Sequence, residues 1–138
     1  MTPGDIAISA MPQANGRIKL RPLAVLSEFP RHGDLLVCGI TSQMWNFAEG
    51  FDVALRKGDP DFEKSGLKKD SIFRLGHLTV LPTSKVSGSI GRISDELLGT
   101  LIANLTAHFE KSRVGQISGW YKFFGKVLPL IKALAGKF

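Results

Sequence analysis

The side chains able to do chemistry in this sequence are few. Cys38 stands alone and the histidines are scattered at 32, 77 and 108, so neither an internal disulfide nor a thiolate-based zinc site can be assembled. Arg21, directly before Pro22, offers a planar guanidinium that grips phosphate or carboxylate oxygens in bidentate fashion. Taken by itself it reads equally as an arginine at a strand end with a surface ion pair. Thr41, Ser42 and Gln43 form a block of hydroxyls and an amide at the end of an expected strand, where such residues also close ordinary turns. Arg17 and Lys19 place two positive charges around a Gly-containing loop, as phosphate contacts or simply as solvated charges. Arg74 and His77 lie in one apolar run. Strand alternation puts His77 on the face opposite Gly76, and the expectation is that it belongs to core or surface structure.

These residues need a scaffold, and the pattern around them is that of strands. Segments 5–11, 19–27, 34–41, 51–55, 71–81 and 87–93 are rich in β-branched and aliphatic residues and are separated by Gly, Pro, Asn and Asp clusters. Six short strands at this spacing predict a small antiparallel barrel or rolled sheet. Pro22 has no N–H and belongs at an edge, a bulge or a strand start. From Ser94 the period changes. Leu97, Leu98, Leu101, Ile102, Leu105 and Phe109 recur at three- and four-residue spacings, which predicts an amphipathic helix capped by Ser94, with Asp95 and Glu96 at its positive end. The fold class is therefore mainly β or α+β. The charged stretch 56–70 is expected to be a solvated connection.

At 138 residues with 43% hydrophobic and 22% charged side chains, the chain has the composition of one globular domain with a core of its own, which excludes wholesale disorder and collagen-like repetition. No apolar run has the roughly 20 residues that a spanning helix needs, and the N-terminus lacks the basic start and apolar stretch of a secretion signal, so the expected location is the cytoplasm. The net charge of +6 is unevenly held. Residues 1–112 carry thirteen Lys and Arg against all twelve acids, whereas 113–138 carry five basic residues and no acid. Within that tail, Trp120, Phe123, Phe124, Val127, Ile131, Leu134 and Phe138 gather on one helical side, and Lys122, Lys126, Lys132 and Lys137 on the other. Pro129 predicts a kink or two shorter helices. Three roles compete for this amphipathic basic extension: an extra helix covering the barrel or a dimer surface, a contact with a membrane surface or polyanion, and a region that is poorly ordered when free or docks a specific protein partner.

The protein partner in that last role follows from a resemblance. GDI (4–6), KLRPLAVL (19–26), ITSQ (40–43), SGLKKDSIFRLGHL (65–78) and IGRIS (90–94) occur in the order and approximate spacing of MazF/PemK-like proteins, the toxins of type II toxin-antitoxin modules. The match spans about residues 3–112, so the expected organisation is a MazF/PemK-like domain over 1–112 followed by the extension 113–138. The resemblance implies an SH3-like barrel with a C-terminal helix, acting as a homodimer with its groove formed across two subunits. It further implies inhibition by a cognate antitoxin, DNA binding together with that antitoxin, and metal-independent, cofactor-free endoribonuclease action on single-stranded RNA.

In such cleavage the 2′-hydroxyl attacks the adjacent phosphorus, which calls for positive charge on the phosphate, a proton for the leaving 5′-oxygen and an acceptor for the 2′ proton. The resemblance assigns Arg21 as the catalytic arginine and proton donor. It assigns Thr41, supported by Ser42, as the hydroxyl that binds the scissile phosphate. Arg17, Lys19, Gln43 and Arg74 become substrate-binding residues. One departure stands out: some relatives carry an aspartate two positions after the arginine at 74, and here that position is Gly76. No base is assigned, and the alternative is a non-catalytic barrel that binds RNA or a protein partner.

Overall fold

The structure, a computed structural model, describes residues 1–12 and 15–116 together with the isolated positions 129 and 133. Six strands form one antiparallel sheet: β1 (Asp5–Pro12), β2 (Ile18–Glu28), β3 (Leu35–Thr41), β4 (Val53–Leu55), β5 (Ser71–Leu81) and β6 (Val86–Arg92), in the order β4-β5-β3-β2-β1-β6. A single-turn helix, α1 (Phe62–Ser65), interrupts the β4–β5 connection, and α2 (Asp95–Gln116) follows β6. All six expected strands and the helix are present. By internal contacts the chain divides into two units, Met1–Leu105 and Thr106–Phe138. The amphipathic face expected over 119–138 lies outside the described residues but for two positions. Among the described residues no helix is long and apolar enough to cross a membrane.

The sheet buries apolar residues on both of its faces. On one, Ile6, Ala24, Leu26, Cys38, Ile40, Phe73 and Leu75 form the main core, closed by Leu101 and Leu105 of α2. On the other, Ala7, Leu23, Val25, Leu35 and Val37 form a second cluster, against which Leu81 and Val86 pack. The helix meets the core through Leu97, Leu98, Leu101 and Leu105, a narrower stripe than the periodicity predicts. Ile102 and Phe109 remain 37% and 57% exposed. Burying a leucine of the Leu101 kind is worth about 2 kcal/mol. Cys38 sits in the main core, where burial pushes its thiol up to about 12.

The 56–70 segment is only in part the solvated connection expected. Its charged side chains face water, but Ser65 is fully buried and Phe62 and Leu67 pack on the main core. Asp61 accepts hydrogen bonds from the Ser94 N–H (2.6 Å) and Oγ (2.9 Å), while Ser94 Oγ accepts the Leu97 N–H (3.1 Å). The expected cap at Ser94 is therefore itself held by the loop. Gly66 and Gly91 allow the backbones of this segment and β6 to touch: a Cβ on Gly66 would run into the Ile90 carbonyl, and one on Gly91 into those of Lys64 and Ser65. The reason is steric, and it is why a charged loop becomes part of the folded body.

Candidate functional site

Pro22 pairs with Ile8 of β1 on one side of β2, whereas on the other side the β2–β3 ladder begins only at Leu23↔Gly39. With no N–H at position 22 to offer, the strands part there. Alternation places Arg21 and Thr41 facing one another across the gap, two residues beyond that last pair. Arg21 is half-buried and paired with Ser9, whose Oγ donates to the Lys85 carbonyl (2.9 Å). Thr41 Oγ1 accepts the Gln43 N–H (3.1 Å), which leaves the hydroxyl hydrogen as a donor to a second group. Ser42 and Gln43 are exposed, and Gln43 Oε1 accepts from the Asn46 amide (3.1 Å).

On its other edge β3 pairs Thr41 with Ile72 and Gly39 with Arg74. Directly opposed residues share a face, so Arg74 joins Arg21 and Thr41 on one side of the sheet. The register then jumps: Gly39 pairs Arg74 but its neighbour Cys38 pairs Leu78, so Leu75, Gly76 and His77 form a bulge on β5. A bulge takes backbone groups out of the ladder, and here the Leu75 N–H finds a partner in the carboxylate of Asp52 (3.0 Å), which also accepts the Ala48 N–H (3.0 Å) and is only 7% exposed.

His77 is at the surface and on the side of the sheet opposite Gly76, as expected, but the bulge shifts it relative to Arg74, and the imidazole lies over Gly39: a Cβ there would lie 2.8 Å from His77 Nδ1, 3.3 Å from Cγ and 3.5 Å from Cβ. His77 therefore stands, exposed, on the face of Arg21, Thr41 and Arg74. Two glycines inside strands, Gly39 and Gly76, were the signal for it, because an interior strand glycine marks a bulge or a close approach.

Trp45 was also missed. It lies in the 3₁₀ turn Met44–Asn46 directly after the hydroxyl block and is 79% exposed. An indole so placed offers a surface on which a base stacks. Beside it, Ser42, Met44, Lys57, Lys69 and Asp70 line an open depression of about 370 Å³. Arg17 and Lys19 are exposed at the start of β2, and Asn15 Oδ1 accepts the Arg17 N–H (3.0 Å).

A larger depression, about 680 Å³, lies at the junction of β1, β6 and the start of α2. It contains none of the candidate catalytic or substrate-binding residues, and its arginine is already engaged: Arg92 bonds Asp5 at 2.9 Å and approaches Asp95 at 3.9 Å. At the end of the β2–β3 ladder, by contrast, the candidate cationic and hydroxyl groups share one face. Among the described residues no three His, Cys, Asp or Glu side chains gather as a metal site requires.

A coiled six-stranded antiparallel sheet closed by one C-terminal helix, with arginines and hydroxyls around a strand gap, defines a small SH3-like barrel with a site suited to anions. Residues 2–109 match the family model described as the PemK-like, MazF-like toxin of type II toxin-antitoxin systems, and the chain belongs to that family. No curated protein matches it. Among solved structures it is similar to the Mycobacterium tuberculosis toxin MazF-mt6, with 17% identity, TM-score 0.58, and coverage of 77% of this chain and 96% of that one. A mycobacterial endoribonuclease in complex with its cognate antitoxin gives 11% identity, TM-score 0.60, and coverage of 80% and 95%. The MazE–MazF structure (Form-II) from Deinococcus radiodurans gives 17% identity, TM-score 0.52, and coverage of 79% and 96%. At these identities the likeness speaks for the fold.

Proposed function

We propose that this toxin is a metal-independent, cofactor-free endoribonuclease that cleaves single-stranded RNA through attack of its 2′-hydroxyl, and that a cognate antitoxin silences it. The observation that supports the reading is the end of the β2–β3 ladder at Leu23↔Gly39, beside Pro22, beyond which alternation sets Arg21 and Thr41 toward one another. A scissile phosphate seated there receives the Arg21 guanidinium on its non-bridging oxygens and a hydrogen bond from Thr41, with Ser42 beside it. As charge builds on the pentacoordinate phosphorus, Arg21 stabilises it and gives a proton to the leaving 5′-oxygen. Arg74 adds a second positive charge on the same face, Arg17 and Lys19 hold the flanking backbone, and Gln43 meets a base or sugar edge.

Function in this reading belongs to residues 1–112, acting as a homodimer in the cytoplasm. The basic extension 113–138, whose first residues continue α2 to Gln116, serves a different role in this reading, contact with a protein surface or a membrane. The test is incubation of the purified protein in excess chelator with a long single-stranded RNA of mixed sequence, followed by mapping of new 5′ ends. Discrete cuts with 5′-hydroxyl ends are expected, and Arg21→Ala should slow them by about 10²–10³-fold without unfolding the domain. Intact RNA beside folded wild-type protein would favour a non-catalytic binding module instead.

A further inference from the structure

We propose that His77 is the general base of this cleavage, an inference that rests on the endoribonuclease reading above. The carboxylate that some relatives place two positions after the strand arginine is replaced here by Gly76. Three features of this chain build a seat for another base. The bulge Leu75–His77 breaks alternation on β5. The buried Asp52 carboxylate fixes that bulge by accepting the Leu75 N–H at 3.0 Å. Gly39, buried and without a side chain, leaves the space the imidazole fills, since its Cβ would come within 2.8 Å of Nδ1.

Nδ1, Cγ and Cβ are the His77 atoms nearest the position a Gly39 Cβ would take, and we assign Nε2, the nitrogen outside that contact, as the proton acceptor. Gly39 lies two residues before Thr41 on β3 and pairs with Arg74, so the imidazole stands beside the phosphate seat on the same face. Neutral imidazole accepts the 2′-hydroxyl proton at Nε2 as the 2′-oxygen bonds to phosphorus. The bond from phosphorus to the 5′-oxygen breaks, and that oxygen leaves with a proton from Arg21. A 2′,3′-cyclic phosphate and a 5′-hydroxyl result, and the imidazolium and arginine re-equilibrate with water.

The experiment uses the full chain and measures single-turnover cleavage of one RNA in chelator, RNA affinity and circular dichroism. The proteins are wild type, Arg21→Ala, His77→Ala, His77→Gln and Gly39→Ala. His77→Ala and His77→Gln should remain folded, bind RNA within about twofold of wild type, and cleave about 10²–10⁴-fold more slowly, the range for general-base removal. Added imidazole should speed His77→Ala and leave Arg21→Ala unchanged. Gly39→Ala should reproduce the slow phenotype with His77 present, because its methyl group displaces the ring.

Wild-type rates in His77→Ala while Arg21→Ala is inactive would overturn the base assignment and leave the nuclease reading standing. A slow His77→Ala that has lost RNA affinity, or that imidazole does not accelerate, would likewise make His77 a binding or structural residue. Intact RNA with wild-type protein would overturn both.

Discussion

A guanidinium and a hydroxyl facing one another across a strand gap form a minimal phosphate grip, one that binds charge and aims a hydrogen bond without a metal. In the proposed site the Arg21–Pro22 dipeptide would supply it: the arginine would carry the charge, and the β2–β3 ladder stops at Leu23↔Gly39, beside the proline. The candidates Arg21, Thr41 and Arg74 came from a resemblance, which names positions. The seat of His77 over Gly39 was not legible, since alternation is a rule for regular strands and a bulge suspends it. Asp5, part of the GDI block, illustrates a carboxylate whose work is structural. Partial burial raises its pKa, but the Thr2 N–H and the Arg92 guanidinium outweigh that and leave the carboxyl below its ordinary 3.8. A lowered pKa means stability that is present above the unfolded value and is lost as pH falls through the folded one. Because Arg92 is half exposed, the contribution is small. Asp5→Asn should cost about 0.5–1 kcal/mol in urea unfolding at pH 7, with the gap to wild type closing in acid.

At the scale of elements, the strands and helix were readable because apolar alternation and the later three- and four-residue spacing are set by burial, which the sequence carries directly. The 56–70 segment was less readable because its fixing contacts are few and specific. The Asp61 carboxylate at Ser94 and the bare backbone contacts at Gly66 and Gly91 leave no periodic trace in a run of charges. Two glycines therefore answer differently to the same change. Gly91→Ala drives a methyl group into the carbonyls of Lys64 and Ser65 and should cost on the order of 2–3 kcal/mol. Gly99→Ala, on α2 with no atom within 4 Å of the new methyl, should stabilise by about 0.5–1 kcal/mol. Paired thermal melts of the two variants check both signs.

For the molecule as a whole, a nearly neutral body carries its cations locally, at the mouth of one strand gap, while most of the excess charge resides beyond residue 112. The proposed catalytic groups and most of the excess positive charge thus lie on separate stretches of chain. The body has two small cores on the two faces of one sheet, and Cys38 lies sealed in the larger of them, with its thiol held protonated far above neutrality. That makes the sole thiol an internal clock for opening of the barrel. In native protein at pH 8, iodoacetamide should leave Cys38 untouched for as long as the sheet stays closed, and the alkylation rate should rise in step with urea-induced unfolding. Prompt alkylation of the folded protein would reveal that β3 breathes on its own. The same clock, read with and without RNA, would report how firmly a ligand at the gap latches the strand beneath it.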